Sequence, residues 1–130
     1  DLLFTIDDRE YRAAVASARA DVARAEARRA LAATELKRSE TLIAAKAVSA
    51  GELEGRQNEA RQAEADVLAA RARLETAELN LSFTRVTAPI AGRAGVAKLR
   101  TGNLVAPGEP VLTSVVALDP VFVSFQGDER

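Results

Sequence analysis

Apolar and small residues recur every seven positions along two long stretches of this chain. In the first stretch Val15, Val22, Leu36 and Ile43 share one heptad position, interrupted by Arg29, while Tyr11, Ala18, Ala25 and Ala32 share a second, continued by Ser39. The pattern returns with Leu53, Ala60, Val67, Leu74 and Leu81 on one position and Ala63, Ala70 and Ala77 on the other, preceded by Arg56. Two apolar columns repeating at seven residues are the seam of a coiled coil. The residues between them are mostly Ala, Arg, Glu and Leu, which favour helix. Asp7 and Asp8 can cap the first helix and suit its positive end. Lys46-Ala47-Val48-Ser49 has no heptad register, and Ser49-Ala50-Gly51-Glu52 is a capping-box sequence. The spacing therefore predicts helices over roughly residues 8–45 and 50–81.

Two helices of similar length joined by a few residues run antiparallel when they pack on each other. A turn centred near Lys46 would set Val15 against Ala77, Ala18 against Leu74, Val22 against Ala70 and Ala25 against Val67, so that small faces large along most of the seam. Arg29 opposite Ala63 and Arg56 opposite Leu36 interrupt that order, and each can carry its charged head to water along an aliphatic stem. At about 1.5 Å per residue such helices reach on the order of 55 Å. A rod of two helices buries little, which makes it a spacer or docking arm and a poor place for a water-excluded active site.

The texture changes outside the rod. Leu2-Leu3-Phe4-Thr5-Ile6 precedes it as a strand candidate. After residue 81 come short β-prone runs: Ser82 to Val86, Ala88 to Arg93, Gly95-Val96, Gly102 to Val105, Val111 to Val116 and Val121 to Phe125. All four prolines, Pro89, Pro107, Pro110 and Pro120, fall in this part. The rod is thus expected to be inserted between Leu2–Ile6 and the residues from 82 onward, whose ends must meet at its base.

Composition narrows the chemistry. The 130 residues contain neither Cys nor His, which removes disulfides, thiol nucleophiles, Ser-His-Asp triads and imidazole proton shuttles, and takes the usual zinc ligands with them. No catalytic constellation, metal or cofactor site is expected. With 18 Lys and Arg against 19 Asp and Glu, the net charge of −1 gives no support to a nucleic-acid groove. No run approaches the roughly 20 apolar residues of a membrane span. The start at Asp1, without Met or a signal-like segment, suggests a piece of a longer protein.

The segment Leu79-Asn80-Leu81-Ser82-Phe83-Thr84-Arg85-Val86-Thr87-Ala88-Pro89-Ile90-Ala91-Gly92-Arg93 resembles the hairpin exit and lipoyl-like segment of the periplasmic adaptor, or membrane fusion, proteins of tripartite efflux pumps. The resemblance extends through Gly102-Asn103-Leu104-Val105 and Leu118-Asp119-Pro120-Val121-Phe122-Val123 and takes in essentially the whole chain. It implies an α+β architecture in which a long antiparallel coiled-coil hairpin, residues 8–81, interrupts a lipoyl-like β-sandwich. Residues 1–7 and 82–116 would form that sandwich, and residues 117–130 would begin a β-barrel domain. It also implies a non-catalytic adaptor in the periplasm, attached to the inner membrane in the full-length protein. Its partners would be an inner-membrane transporter, of the resistance-nodulation-division (RND) class first of all, and a TolC-type outer-membrane channel. The adaptor itself would form a homo-oligomer, a hexameric ring. At the hairpin tip, Arg38, Leu42 and Ser49 resemble the family's channel-docking pattern of Arg, Leu four residues on and Ser eleven residues on.

Plainer readings stand beside these. Ser49 can be only a helix cap, Arg38 a solvated charge and Leu42 an apolar residue flanking the seam. Gly51-x-x-x-Gly55 resembles a membrane dimerisation motif in surroundings too charged for one, and Gly92-Arg93-Ala94-Gly95 is too short for a nucleotide loop. A lipoyl or biotinyl carrier would need a modifiable lysine at an exposed turn, and Lys98 in Val96-Ala97-Lys98-Leu99 lacks the usual flanks. Seams of Ala and Leu also suit a generic coiled-coil oligomerisation module or spacer, and the resemblance leaves room for an adaptor of an ABC- or MFS-type exporter.

Overall fold

The computed structural model describes residues 1–44, 48–106, 108 and 111–120. The chain divides into two compact units, Asp7–Thr84 on one hand and Asp1–Ile6 with Arg85–Arg130 on the other.

The first unit is a pair of helices, α1 at Arg9–Ala44 and α2 at Ala50–Phe83. Neither contains proline, so each runs uninterrupted for more than thirty residues. At the start of α1 the Arg9 amide donates to Asp7 Oδ1 at 3.2 Å, and the Arg9 guanidinium closes on the same carboxylate at 2.6 Å. Arg12 pairs with Asp8 one turn away. The α2 helix begins on Ser49, whose extended backbone (φ −83°, ψ 158°) lets Oγ accept the Glu52 amide at 3.2 Å. Only this half of the expected reciprocal cap is present among the described hydrogen bonds.

Apart from Tyr11 and Arg29, both exposed, the heptad columns point inward as the spacing predicts. Val15, Ala32, Ala63, Val67 and Ala70 form the buried apolar core among the described residues, with Ser39 buried in the same column, and Ala18, Val22, Ala25, Leu36, Leu74, Ala77 and Leu81 are half-buried. Arg29 is exposed, consistent with a stem that carries its head outward. The helices are antiparallel: Arg19 pairs with Glu78, Glu26 with Arg71 and Glu35 with Arg56. One groove is lined by Ala25 and Ala70 together, and the next by Ala32 and Ala63. With α1 ending at Ala44 and α2 starting at Ala50, the register is about two residues from the expected one, in which Ala25 faced Val67 and Val22 faced Ala70. The cause is local. The α2 helix starts at Ala50 on its Ser49 cap as expected, but with α1 ending at Ala44 the two helix ends are centred one residue beyond the Lys46 used to set the pairing, and every facing pair shifts with them.

The α2 helix also runs two residues past its expected end. Ser82 and Phe83, read as the start of a strand, are helical: Ser82 Oγ donates to the Leu79 carbonyl at 2.6 Å, and Thr84 closes the helix through its amide and Oγ1, both donating to Leu81 O. Thr84 is 2% exposed. These i to i−3 bonds satisfy carbonyls that a helix end leaves without partners.

In the second unit, β1 (Leu2–Thr5) pairs antiparallel with β2 (Arg85–Thr87), joining Leu2 to Thr87, Phe4 to Val86 and Thr5 to Arg85 with one irregularity between. The two chain segments that flank the hairpin do meet, as expected. A second pair joins β3 (Arg93–Ala94) to β4 (Val115–Val116), prolonged by Gly95 N–H to Ser114 O and Lys98 N–H to Leu112 O. Gly92 is required here, because a Cβ at that position would collide with the Val116 carbonyl. The expected strand at Gly102–Val105 is instead turn and irregular chain: Gly102 takes φ +94°, and the Asn103 amide turns back onto Arg100 O. Of the run from Val111 to Val116, only the last two residues are strand. The Val121–Phe125 strand candidate, and with it most of the segment 117–130, lies outside the described residues.

Candidate functional site: the hairpin tip

Helical periodicity puts Arg38 and Leu42, four residues apart, on one face of α1 in its last two turns. Both are exposed, Leu42 at 38%. Neither occupies a seam column; Ser39 and Ile43, their neighbours in sequence, turn inward instead. The tip therefore offers a guanidinium and an isobutyl group outward without weakening the contact between the helices. Ser49 stands on the other side of the turn, exposed at the head of α2. Its hydroxyl accepts the Glu52 amide, and its carbonyl accepts the Leu53 amide at 3.2 Å. The cap reading of Ser49 is thus realised, and a hydroxyl that accepts through one lone pair keeps its proton and a second lone pair for a partner. Residues 45–47, including Lys46, lie outside the described residues.

Arg38 and Leu42 thus share one helix face, while Ser49 lies on a different element; no hydrogen bond joins Ser49 to either of them among the described residues. Chemically, the Arg38 and Leu42 pair suits an apolar contact ringed by a charge-assisted hydrogen bond.

Sequence reasoning missed an ion-pair cluster that bridges the two helices in the tip half of the hairpin. Arg56 sits in a seam column and was expected to lead its charge to open water over Leu36. Its Nη1 instead donates to Glu35 Oε2 across the seam at 2.8 Å and to Glu59 Oε2 on its own helix at 2.9 Å. The hydrogen bond that Arg56 donates to Glu59, with the added field of Glu35, raises the Arg56 pKa above its ordinary value. The signal was present in the sequence: an arginine in a seam column of an antiparallel pair meets acidic residues at the flanking positions of both helices.

In the second unit, Lys98 lies in an exposed bend whose backbone is tied to Leu112. No group of His, Cys, Asp and Glu arranged to hold a metal occurs among the described residues, and no described helix is long and apolar enough to cross a membrane.

Comparison with known proteins converges on one family. The profile described as RND MFP, alpha-helical hairpin domain, matches residues 14–84. The chain is 40% identical over 127 residues to the efflux pump periplasmic linker BepD of Brucella suis biovar 1 (strain 1330), covering 96% of this chain and 32% of that protein. To the multidrug efflux pump subunit AcrA of Escherichia coli K12 it is 38% identical over 122 residues, covering 93% of this chain and 31% of the relative. It thus spans about a third of the length of either. Among solved structures, a MacA-MexA chimeric protein containing the Pseudomonas aeruginosa MexA alpha-hairpin domain superposes with a TM-score of 0.56 at 29% identity, over 88% of this chain and 35% of the other.

Proposed function

This chain belongs to the RND-type membrane fusion proteins, of which it carries the α-helical hairpin, and from that premise we propose that it is the docking arm of a periplasmic adaptor in a drug-efflux pump. The adaptor links an inner-membrane transporter of the RND class to a TolC-type outer-membrane channel and acts by contact, without catalysis or cofactor. Supporting this are two relatives named as an efflux pump periplasmic linker and a multidrug efflux pump subunit, each matched over more than nine-tenths of this chain. In this reading the four short strands are the two parts of a lipoyl-like domain that the hairpin interrupts. The residues from 117 onward open a β-barrel domain. The full-length protein is attached to the inner membrane and assembles as a hexameric ring.

The observation that carries the docking role is the outward pair Arg38 and Leu42 at the end of a hairpin whose seam does not use them. Leu42 supplies the apolar contact, Arg38 a charge-assisted hydrogen bond to a channel carbonyl or carboxylate, and Ser49 a short polar contact beside its capping bond. The test is substitution in the full-length adaptor. Arg38→Asp and Leu42→Asp should each reduce co-purification of the channel and abolish efflux-dependent drug tolerance, at unchanged protein level and helix content. Full tolerance with both substitutions present would leave the rod as a coiled-coil spacer only.

A further inference from the structure

Two columns of alanine line the middle of the seam, and both change character at the same place. One groove is lined by Ala25 with Ala70 and the next by Ala32 with Ala63. One heptad nearer the turn, the same columns hold Ser39 and Arg56. Ser39 stays buried, whereas Arg56 sets a long cation in a position that Ala63 and Ala70 fill with a methyl group. Helix propensity gives arginine no advantage over alanine, so the reason for the cation lies in its contacts.

Its Nη1 donates to Glu35 Oε2 on α1 at 2.8 Å and to Glu59 Oε2 on α2 at 2.9 Å. Glu59 thus aims the guanidinium from its own helix, and Glu35 receives it on the other. Of the three interhelical ion pairs among the described residues, this is the least exposed. Its side chains are 39% and 35% accessible, against 65% and 47% for Arg19 with Glu78 and 56% and 41% for Arg71 with Glu26. Those two lie open to screening by solvent. The Arg56 pair is also the nearest of the three to the turn. Glu35 lies about one helical turn before Arg38 on α1, and Arg56 about two turns after Ser49 on α2.

Alanine methyl groups hold two helices close without fixing how far one is slid along the other, because apolar burial has no direction. A charge-assisted hydrogen bond has one, and setting register is the best-attested use of polar groups in helix seams. A slide of one turn, about 5.4 Å, would carry Glu35 out of hydrogen-bond reach of a guanidinium that Glu59 holds in place. We propose that Arg56 is a positioning residue for the docking tip: bonded to Glu59 on α2 and to Glu35 on α1, it fixes the axial offset of the two helices, and with it the place of Arg38 and Leu42 relative to Ser49. Arg56 acts through these residues and not by contact with the channel. The inference rests on the docking role proposed above and adds the residue that keeps the docking surface in shape.

Arg56→Leu separates offset from stability. A leucine completes the apolar column, so the melting temperature of the full-length adaptor should stay level or rise, while its affinity for the channel should fall at least about fivefold. The chain contains no cysteine, so spin labels on Thr41→Cys and Glu54→Cys, both exposed and outside the docking set, report the offset directly. Measured without the channel, their distance distribution should be narrow in the parent and broad or displaced in Arg56→Leu. Glu35→Arg combined with Arg56→Glu returns a cation on α1 to two carboxylates on α2. The pair should restore the narrow distribution and bring affinity to within about twofold of the parent, where each substitution alone loses both. A parent-like distribution in Arg56→Leu would overturn the proposal, as would parent-level channel affinity in that variant. A loss of affinity that tracks a lower melting temperature and is not relieved by the charge exchange would reduce Arg56 to a stabilising contact. The docking reading fails separately: unchanged affinity in Arg38→Asp and Leu42→Asp would overturn it and this role with it, whereas their loss of affinity beside a parent-like Arg56→Leu would overturn this role alone.

Discussion

Replacing Val67 by Asp is the sharpest test of the seam. Val67 is 2% exposed and lies between Ala63 and Ala70, each 4% exposed, on the inward face of α2. Removing its buried methyl groups forfeits about 2 kcal/mol of apolar burial. The short aspartate side chain cannot reach out of the seam as a lysine or arginine would, so its carboxylate is left largely unpaired among alanines. The hairpin is only two helices thick, which lets water approach and keeps the charge penalty near the low end, for a total of about 3 kcal/mol. For a unit of this size that corresponds to a fall in Tm of about 12–24 °C, read from the helical signal in far-UV circular dichroism. Glu64→Ala, an exposed neighbour, should change stability by less than about 0.5 kcal/mol. Val67→Asn separates charge from shape: it should fall between the two, and the Asp variant should approach it near pH 3, where the introduced carboxyl is protonated. A Val67→Asp melt within a few degrees of the parent, or one less damaged than Glu64→Ala, would place the seam on another face.

Three further outcomes follow from individual contacts. Ser49→Ala removes the acceptor of the Glu52 amide and should cost about 1 kcal/mol, seen as loss of protection from hydrogen exchange confined to the first turn of α2. Hydrogen bonds from the Arg9 guanidinium and amide hold the Asp7 pKa down at about 2, from 3.8. The unfolded chain therefore takes up a proton at a higher pH than the folded chain does, so this contribution to stability is complete above about pH 5 and is lost as the pH falls from 3.8 toward 2; Asp7→Asn should remove that part of the acid dependence and leave neutral-pH melting little changed. Gly92→Ala drives a methyl group into the Val116 carbonyl and should open the β3–β4 pair while leaving α1 and α2 intact, a change that amide exchange at Ala94 and Val116 would report.

The seam was legible because it repeats. Val67 is identified as core by Ala60, Leu74 and Leu81 as much as by itself, and an error at one position, such as Arg29, does not disturb the column. The base of the hairpin was legible for a different reason: Leu2–Ile6 had no apolar partner in the helices, and the first β-prone run after α2 was its nearest complement. What failed was whatever a single residue decides. The register moved because it was set from a turn centred near Lys46, one residue short of the midpoint between the end of α1 at Ala44 and the start of α2 at Ala50, and a seam pattern with period seven accepts more than one alignment of its columns. Ser82 and Phe83 read as strand by composition, yet the side-chain bonds of Ser82 and Thr84 to carbonyls one turn back hold them in the helix. Gly102–Val105 had strand-like residues in a place where Gly102 sets a turn.

Contacts with other proteins leave a fainter mark than contacts within the chain, because the sequence contains only one side of them. Leu42 and Leu68 lie outside both heptad columns and are exposed once the seam is formed. They are then the exceptions that require a cause. A two-helix unit can bury only one face of each helix against the other, so no rearrangement within the hairpin could cover Leu68, Leu79 and Phe83 while keeping Val15, Val67 and Ala70 inside. Their exposure is therefore a fixed consequence of the fold, as is that of Leu31 on α1, and no residue of the seam can take their place in solvent without opening the hairpin.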